Sequence, residues 1–250
     1  MKSAAALALA RLSSAALLLS LAGCIQMEHD LRINADGSAS YRLDYAITEQ
    51  AVTQFHAMFK LKNDLAVAAG EPPPGPELEP LLLELLDPDE AGLREQLKTF
   101  ASLGISIRSI SQETRGASRH IELVLDIADM ATLAGNPFFE KHGFDLRKNA
   151  EGRYVWSRAP HIAETGAIPE PLSAADLEQI TPLLSGFKTV VKVTPPGRIL
   201  STSAARTTLQ TAIWEFDFNR QPMAVQSLLR QHFHIVFEAA EANLPELHRP

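Results

Sequence analysis

Cysteine is nearly absent from this chain: Cys24 is the only one in 250 residues. An intramolecular disulfide is therefore excluded, and the fold must be held by its core alone. An excess of positive charge is also missing. Lys and Arg number 23 against 30 Asp and Glu, a formal net charge of −7. An acidic chain has no overall field that draws phosphate backbones, which argues against nucleic-acid binding. Long apolar runs are lacking as well. The run after Arg11 is about a dozen residues, whereas a membrane-spanning helix needs roughly 20. The strong catalytic signatures are absent: no G-x-S-x-G elbow, no H-E-x-x-H, no G-x-x-x-x-G-K-[ST]. A triad assembled from distant residues has no signal here, because the 8 His are scattered among many Ser and Asp. Neither a cofactor nor a metal is implied, and the chain is expected to be no enzyme.

What is present begins at the N-terminus. Lys2 and Arg11 are the only charges before Glu28, and around them run "AAALALA" and "LSSAALLLSLAG". A positive start, a short apolar stretch and small residues at its end make a secretory signal peptide, residues 1–23. Its removal takes away Lys2 and Arg11 and moves the formal charge from −7 to −9.

Leu21-Ala22-Gly23-Cys24 resembles the lipobox of bacterial lipoproteins. In that family the cysteine thiol receives a diacylglycerol and cleavage follows just before it. The resemblance implies that Cys24 is the lipidated first residue of the mature chain, its sulfur a thioether with no redox or catalytic role. Each buried methylene contributes about 0.8 kcal/mol, so one acyl chain holds weakly and several, palmitate among them, hold firmly. In the same family an Asp directly after the cysteine commonly retains the protein at the inner membrane. Here that position is Ile25. The resemblance therefore implies a membrane-anchored cell-envelope protein, at the periplasmic face of the outer membrane if the cell is Gram-negative.

After the leader the pattern alternates between hairpins and helices. Asp36-Gly37 is a turn signal between two extended runs, with Leu31 and Ile33 on one side and Tyr41, Leu43 and Tyr45 on the other. Val52, Phe55, Met58 and Phe59 fall on one helical face behind an N-cap at Thr48. The Pro- and Gly-rich residues 70–80 forbid regular structure. Asp87, Pro88 and Glu90 fit a capping box, Leu93, Leu97 and Phe100 form the stripe behind it, and Gly104 fits the C-terminal cap. Ile121, Leu123, Leu125 and Ile127 alternate as in a half-buried strand of a second hairpin. "ADMATLAG" predicts a short helix, and Ala150-Glu151-Gly152 the turn of a third hairpin. Ser173 caps a further helix. Pro195-Pro196-Gly197 marks a turn between two strands; Ala212, Trp214, Phe216 and Phe218 share one strand face, and Phe233, Ile235 and Phe237 another.

This order predicts an α+β fold of antiparallel hairpins with helices packed on one face of the sheet. The ectodomain covers 24–242, as one unit or as two subdomains joined within 136–172, and 243–250 are expected to form a flexible tail. "VKVTPPGRILSTSA", "TAIWEFDF" and "LDIADMATLAG" resemble a pattern in LppM-like bacterial lipoproteins, a cell-envelope family some of whose members recognise lipid. That resemblance covers roughly a third of the mature chain and implies a fold type but no site residues.

Three residue groups carry candidate chemistry. Trp214, Phe216 and Phe218 can line an apolar pocket for a lipid chain, or simply form core. His232 and His234, two apart on a strand, can offer two metal ligands beside Glu215 or Asp217; a solvated strand face is the plainer reading. Glu28, His29 and Asp30 read as a polar tether beside the anchor. The functional expectation is a lipid-anchored, non-enzymatic binding module for an envelope lipid or protein. The alternative is an envelope hydrolase whose site forms only in three dimensions.

Overall fold

A computed structural model of the chain describes residues 25–53, 60, 90–98, 100–133, 144–159, 186–221, 223–240, 242 and 244–245. The expected helix behind Ser173 and the loop at 70–80 lie outside them, as does Cys24.

The described chain is mostly β. Strands β1 (Ile25–Ile33) and β2 (Ala39–Thr48) pair as the Asp36-Gly37 signal predicts, with Ile33 opposite Ala39 and Ile25 opposite Ile47. Gly37 supplies the positive φ, 86°, and the Asp36 carboxylate accepts the Ser38 N–H at 2.9 Å. Strands β3 (Ile105–Arg115) and β4 (Ser118–Ile127) form the second hairpin, and β5 (Phe144–Lys148) and β6 (Tyr154–Arg158) the third. The rest are β7 (Phe187–Thr194), β8 (Arg198–Thr202), β9 (Arg206–Thr208), β10 (Thr211–Asp217) and β11 (Phe233–Glu238). Helix α1 is Glu90–Lys98 and α2 is Ala224–Arg230; Met130–Leu133 forms only a single 3-10 turn. Gly104 takes the left-handed conformation expected of it, but caps the 3-10 turn Ala101–Leu103 rather than α1. The Thr48 hydroxyl accepts the Ala51 N–H at 3.1 Å, as an N-cap should.

The eleven strands make two sheets: a seven-stranded one in the order β3-β4-β2-β1-β7-β10-β9 and a four-stranded one in the order β5-β6-β11-β8. This corrects the expected α+β architecture. Among the described residues the main core face of the large sheet is met by a second sheet and not by a layer of helices. One core cluster takes Leu31, Ile33, Ile127, Val193 and Trp214 from the first sheet and Leu146, Trp156, Ile235 and Phe237 from the second. The same cluster reaches Met130 and, near the C-terminus, Leu244. The physical reason is visible in β6 and β11. Both alternate with large apolar residues on one side, so their sheet must bury that side, and the apolar face of the first sheet is the surface of matching size.

Antiparallel pairing alone is also corrected. β1 and β7 run parallel, Ile25 beside Phe187 and Leu31 beside Val193, which joins the N-terminal block to the C-terminal one. The Pro195-Pro196-Gly197 turn does not close a hairpin. It carries the chain from β7 in the large sheet to β8 in the small one. A smaller apolar cluster, Ile25, Tyr45, Ile47, Ala51, Val52 and Ile121, lies at the other end of the large sheet, with Leu93 of α1 packed on it.

Candidate functional site

Strand alternation divides the large sheet into two chemically different faces. Odd-numbered residues of β1 and β2 point to the core. The even-numbered ones, Glu28, Asp30 and Arg32 on β1 and Arg42 and Asp44 on β2, stand opposite one another on the outer face. β7 adds Lys188 and Lys192 to that face through its parallel register, and β4 adds His120 and Glu122. The result is a ladder of ion pairs, all but Arg42–Asp44 between neighbouring strands. Lys192 bonds Glu28; Arg42 reaches Asp44 and Glu122, each at 3.0 Å; Lys188 reaches Glu215 at 2.7 Å. Half-exposed pairs of this kind are worth roughly 0–1 kcal/mol each, so the ladder orders the face more than it stabilises the fold.

The face is hollowed into a cavity of about 490 Å³, lined by residues including Gln26, Glu28, Arg42, Asp44, His120 and Glu122. Partial burial, with Glu122 and Glu28 nearby, raises the Asp44 carboxyl above its ordinary value against the pull of Arg42. The Lys188 hydrogen bond holds Glu215 below its ordinary value. Carboxylates tied to cations in this way serve as hydrogen-bond acceptors. The cavity therefore suits a hydroxyl-rich ligand or one bearing charges of both signs. Sequence inspection missed it, although part of the signal was present: polar residues at every second position of β1, and at most of the matching positions of β2 and β7, where Ala46 and Val190 interrupt them.

Glu28, His29 and Asp30 form no tether: all three lie within β1. His29 turns inward, and its Nδ1 meets the Tyr41 hydroxyl at 2.6 Å. Burial, and secondarily the positive charge of Arg158, lower the His29 pKa to about 4. Burial pushes Tyr41 up to about 12, with Arg158 acting in the opposite sense. The imidazole is thus neutral in the folded protein at neutral pH.

This sets a pH dependence. The unfolded imidazole titrates near 6.5 and the folded one near 4, so the unfolded state takes up the proton first. The stabilisation is complete above about pH 6.5 and is lost as pH falls from there through about 4, by at most about 3 kcal/mol. Urea titrations of the parent and His29→Gln, run between these limits, check it. The variant's stability should fall less steeply with acid; parallel pH profiles would refute the assignment.

Trp214, Phe216 and Phe218 lie on the opposite face from the ladder and are 2%, 5% and 6% exposed. Phe233 meets Trp214 edge-on at 5.1 Å and Phe216 at 6.3 Å, and Phe218 meets Phe187 at 4.7 Å. Trp156 of the small sheet closes on Trp214 at 6.3 Å. The structure thus brings the three aromatics together within the core shared by the two sheets. His232 and His234 keep their rings 6.0 Å apart, alternating with the buried Phe233 and Ile235 and so on the outward side of the small sheet. Glu215 and Asp217 are on the outward side of the large one, with Asp217 bound to the Asn219 N–H and paired with Arg220. The four do not converge. Among the described residues no group of three or more His, Cys, Asp and Glu is placed to hold a metal ion, and no helix is long and apolar enough to cross a membrane.

Fold and face together define, over the described residues, a two-sheet β protein with a charged, hollowed surface. No family model matches the chain, and no curated protein matches it. Among solved structures it is similar to the folded domain of the LppM protein of Mycobacterium tuberculosis, determined by NMR. The identity is 10%, covering 87% of this chain and 91% of that one, with a TM-score of 0.40. A likeness of that degree carries no functional conclusion.

Proposed function

We propose that the chain is a lipid-anchored cell-envelope protein and that its folded part is a non-enzymatic binding module for an envelope lipid or protein. The observation that carries the anchoring is Leu21-Ala22-Gly23-Cys24 at the end of a basic, then apolar, leader. Ile25, where an Asp would favour inner-membrane retention, supports the periplasmic face of the outer membrane in a Gram-negative cell. The binding role is supported by the polar cavity, whose carboxylates and cations already satisfy one another and offer hydrogen bonds rather than a nucleophile and its base.

Cys24→Ser is expected to abolish incorporation of labelled fatty acid and to leave unprocessed precursor. The unprocessed precursor keeps its apolar leader, so detachment is read instead on a chain that begins at Ile25: lacking the acyl chains and their roughly 0.8 kcal/mol per buried methylene, it should not hold to the membrane. Continued labelling would overturn the anchoring. For the binding role, native mass spectrometry of the full-length protein released from envelope membranes should show a bound lipid or protein. Bare protein alone would count against it.

A further inference from the structure

If Cys24 is the acylated first residue, the anchor and the fold are joined with no linker, and this fixes which end of the protein meets the bilayer. Ile25 follows Cys24 directly in sequence and is already part of β1, 6% exposed, packed with Ile47 and Val52 and flanked by Ile47 and Phe187 on the neighbouring strands. No residue is left over to act as a flexible spacer.

We propose that the Ile25 end of the seven-stranded sheet is a membrane-apposed surface. This rests on the lipid-anchor reading above and adds an orientation to it. Strand register identifies what shares that end. β2 leaves there at Thr48, β4 enters at Ser118 opposite Thr48, β7 enters at Phe187, and β10 leaves at Asp217 opposite Lys188. The turn at Gly116-Ala117 therefore lies two strands from the anchor, about 10 Å to the side at roughly 4.8 Å per strand. The turn containing Asp36 and Gly37 lies at the far end of β1. Nine residues at about 3.3 Å each put it roughly 30 Å away.

The chemistry of this end suits a headgroup layer rather than the hydrocarbon interior. Arg115, Arg119 and Arg220 stand there, paired with Glu113, Glu49 and Asp217 at 2.9, 3.2 and 3.3 Å. Charges of both signs match zwitterionic headgroups, and desolvating them in hydrocarbon would be costly. Met223, 48% exposed, sits just past the Asn219–Gln221 turn at the same end and is a side chain that can rest among headgroups. The polar cavity is carried by the same half of the sheet, through Gln26, Ala46, Arg115 and Lys188, so it opens beside the bilayer.

The test uses the full-length acylated protein in phosphatidylcholine vesicles that contain a lipid with a nitroxide on its headgroup. Cys24 is acylated, so a single cysteine introduced as Ala117→Cys or Ala35→Cys is the only free thiol for a fluorophore. Quenching is expected at 117 and not at 35. Inserting ten Gly/Ser residues between Cys24 and Ile25, with a mean span of about 17 Å, should abolish quenching at 117 while fatty-acid labelling stays unchanged. Equal quenching at the two sites, or quenching at 117 that survives the spacer, would overturn the orientation. Absence of fatty-acid label in the parent chain would instead overturn the anchor reading on which the proposal rests.

Discussion

Trp214→Ala is expected to lower the unfolding free energy by about 3–5 kcal/mol, the usual cost of emptying a large buried aromatic site. The ring is 2% exposed, meets Phe233 edge-on at 5.1 Å and Trp156 at 6.3 Å, and its indole N–H donates to the Ser203 hydroxyl at 3.3 Å. Those aromatic pairs add roughly 0.5–1.5 kcal/mol each beyond the area they bury. The site joins the two sheets, so little can collapse into the space without parting them. In a chain of this size the change should lower Tm by roughly 6–20 °C. Trp214→Phe, which keeps an edge for Phe233 but loses the bond to Ser203, should fall between Ala and the parent. Chemical denaturation of the three proteins measures this. An Ala variant within about 1 kcal/mol of the parent would mean that the site tolerates an opening, as a ligand pocket does and a filled core does not.

The second large effect comes from a glycine whose constraint is space, not φ. A Cβ on Gly197 would stand 1.6 Å from the Glu238 carbonyl oxygen and 2.6 Å from its carbon. Both are backbone atoms of β11, an interior strand paired with β6 and β8. Neither can swing aside as a side-chain end could. Gly197→Ala should therefore cost about 3 kcal/mol or more, at the upper end for overpacking. Gly152→Ala makes the contrast. Gly152 has nothing within 4 Å of an added Cβ but a φ of +75°, and should lose only about 1–2 kcal/mol, the left-handed penalty alone. Thermal unfolding of the two variants side by side should show Gly197→Ala as clearly the more damaging. The reverse order would refute the close passage of the β7–β8 turn over β11.

Local features were legible because their causes are local. Asp36-Gly37 formed its hairpin, Thr48 its cap and Gly152 its positive-φ turn, each through contacts within a few residues. The period-2 pattern of Ile121 to Ile127 placed β4 correctly, since alternation needs only one buried face. What failed was the reading of what covers that face. Apolar helical stripes at Leu93 and Leu97 suggested a helical layer, yet among the described residues the main core cluster draws Leu146, Trp156, Ile235 and Phe237 from the small sheet. Nothing in the local pattern of Tyr154–Arg158 tells which sheet it joins. The charged face was missed for a related reason. Glu28 and Lys192 are 164 residues apart, and only the parallel register of β1 with β7 makes them partners.

The sequence by itself determined the impossibility of an internal disulfide and the positions of the first three hairpins. These depend on composition, on order along the chain and on short-range backbone preference. Only the tertiary structure decided that Pro195-Pro196-Gly197 crosses between sheets, that β1 and β7 run parallel, and that Trp214 meets Trp156 across a common core. Those outcomes follow from which apolar faces find one another, and burial is non-directional, so the sequence marks each face without naming its partner.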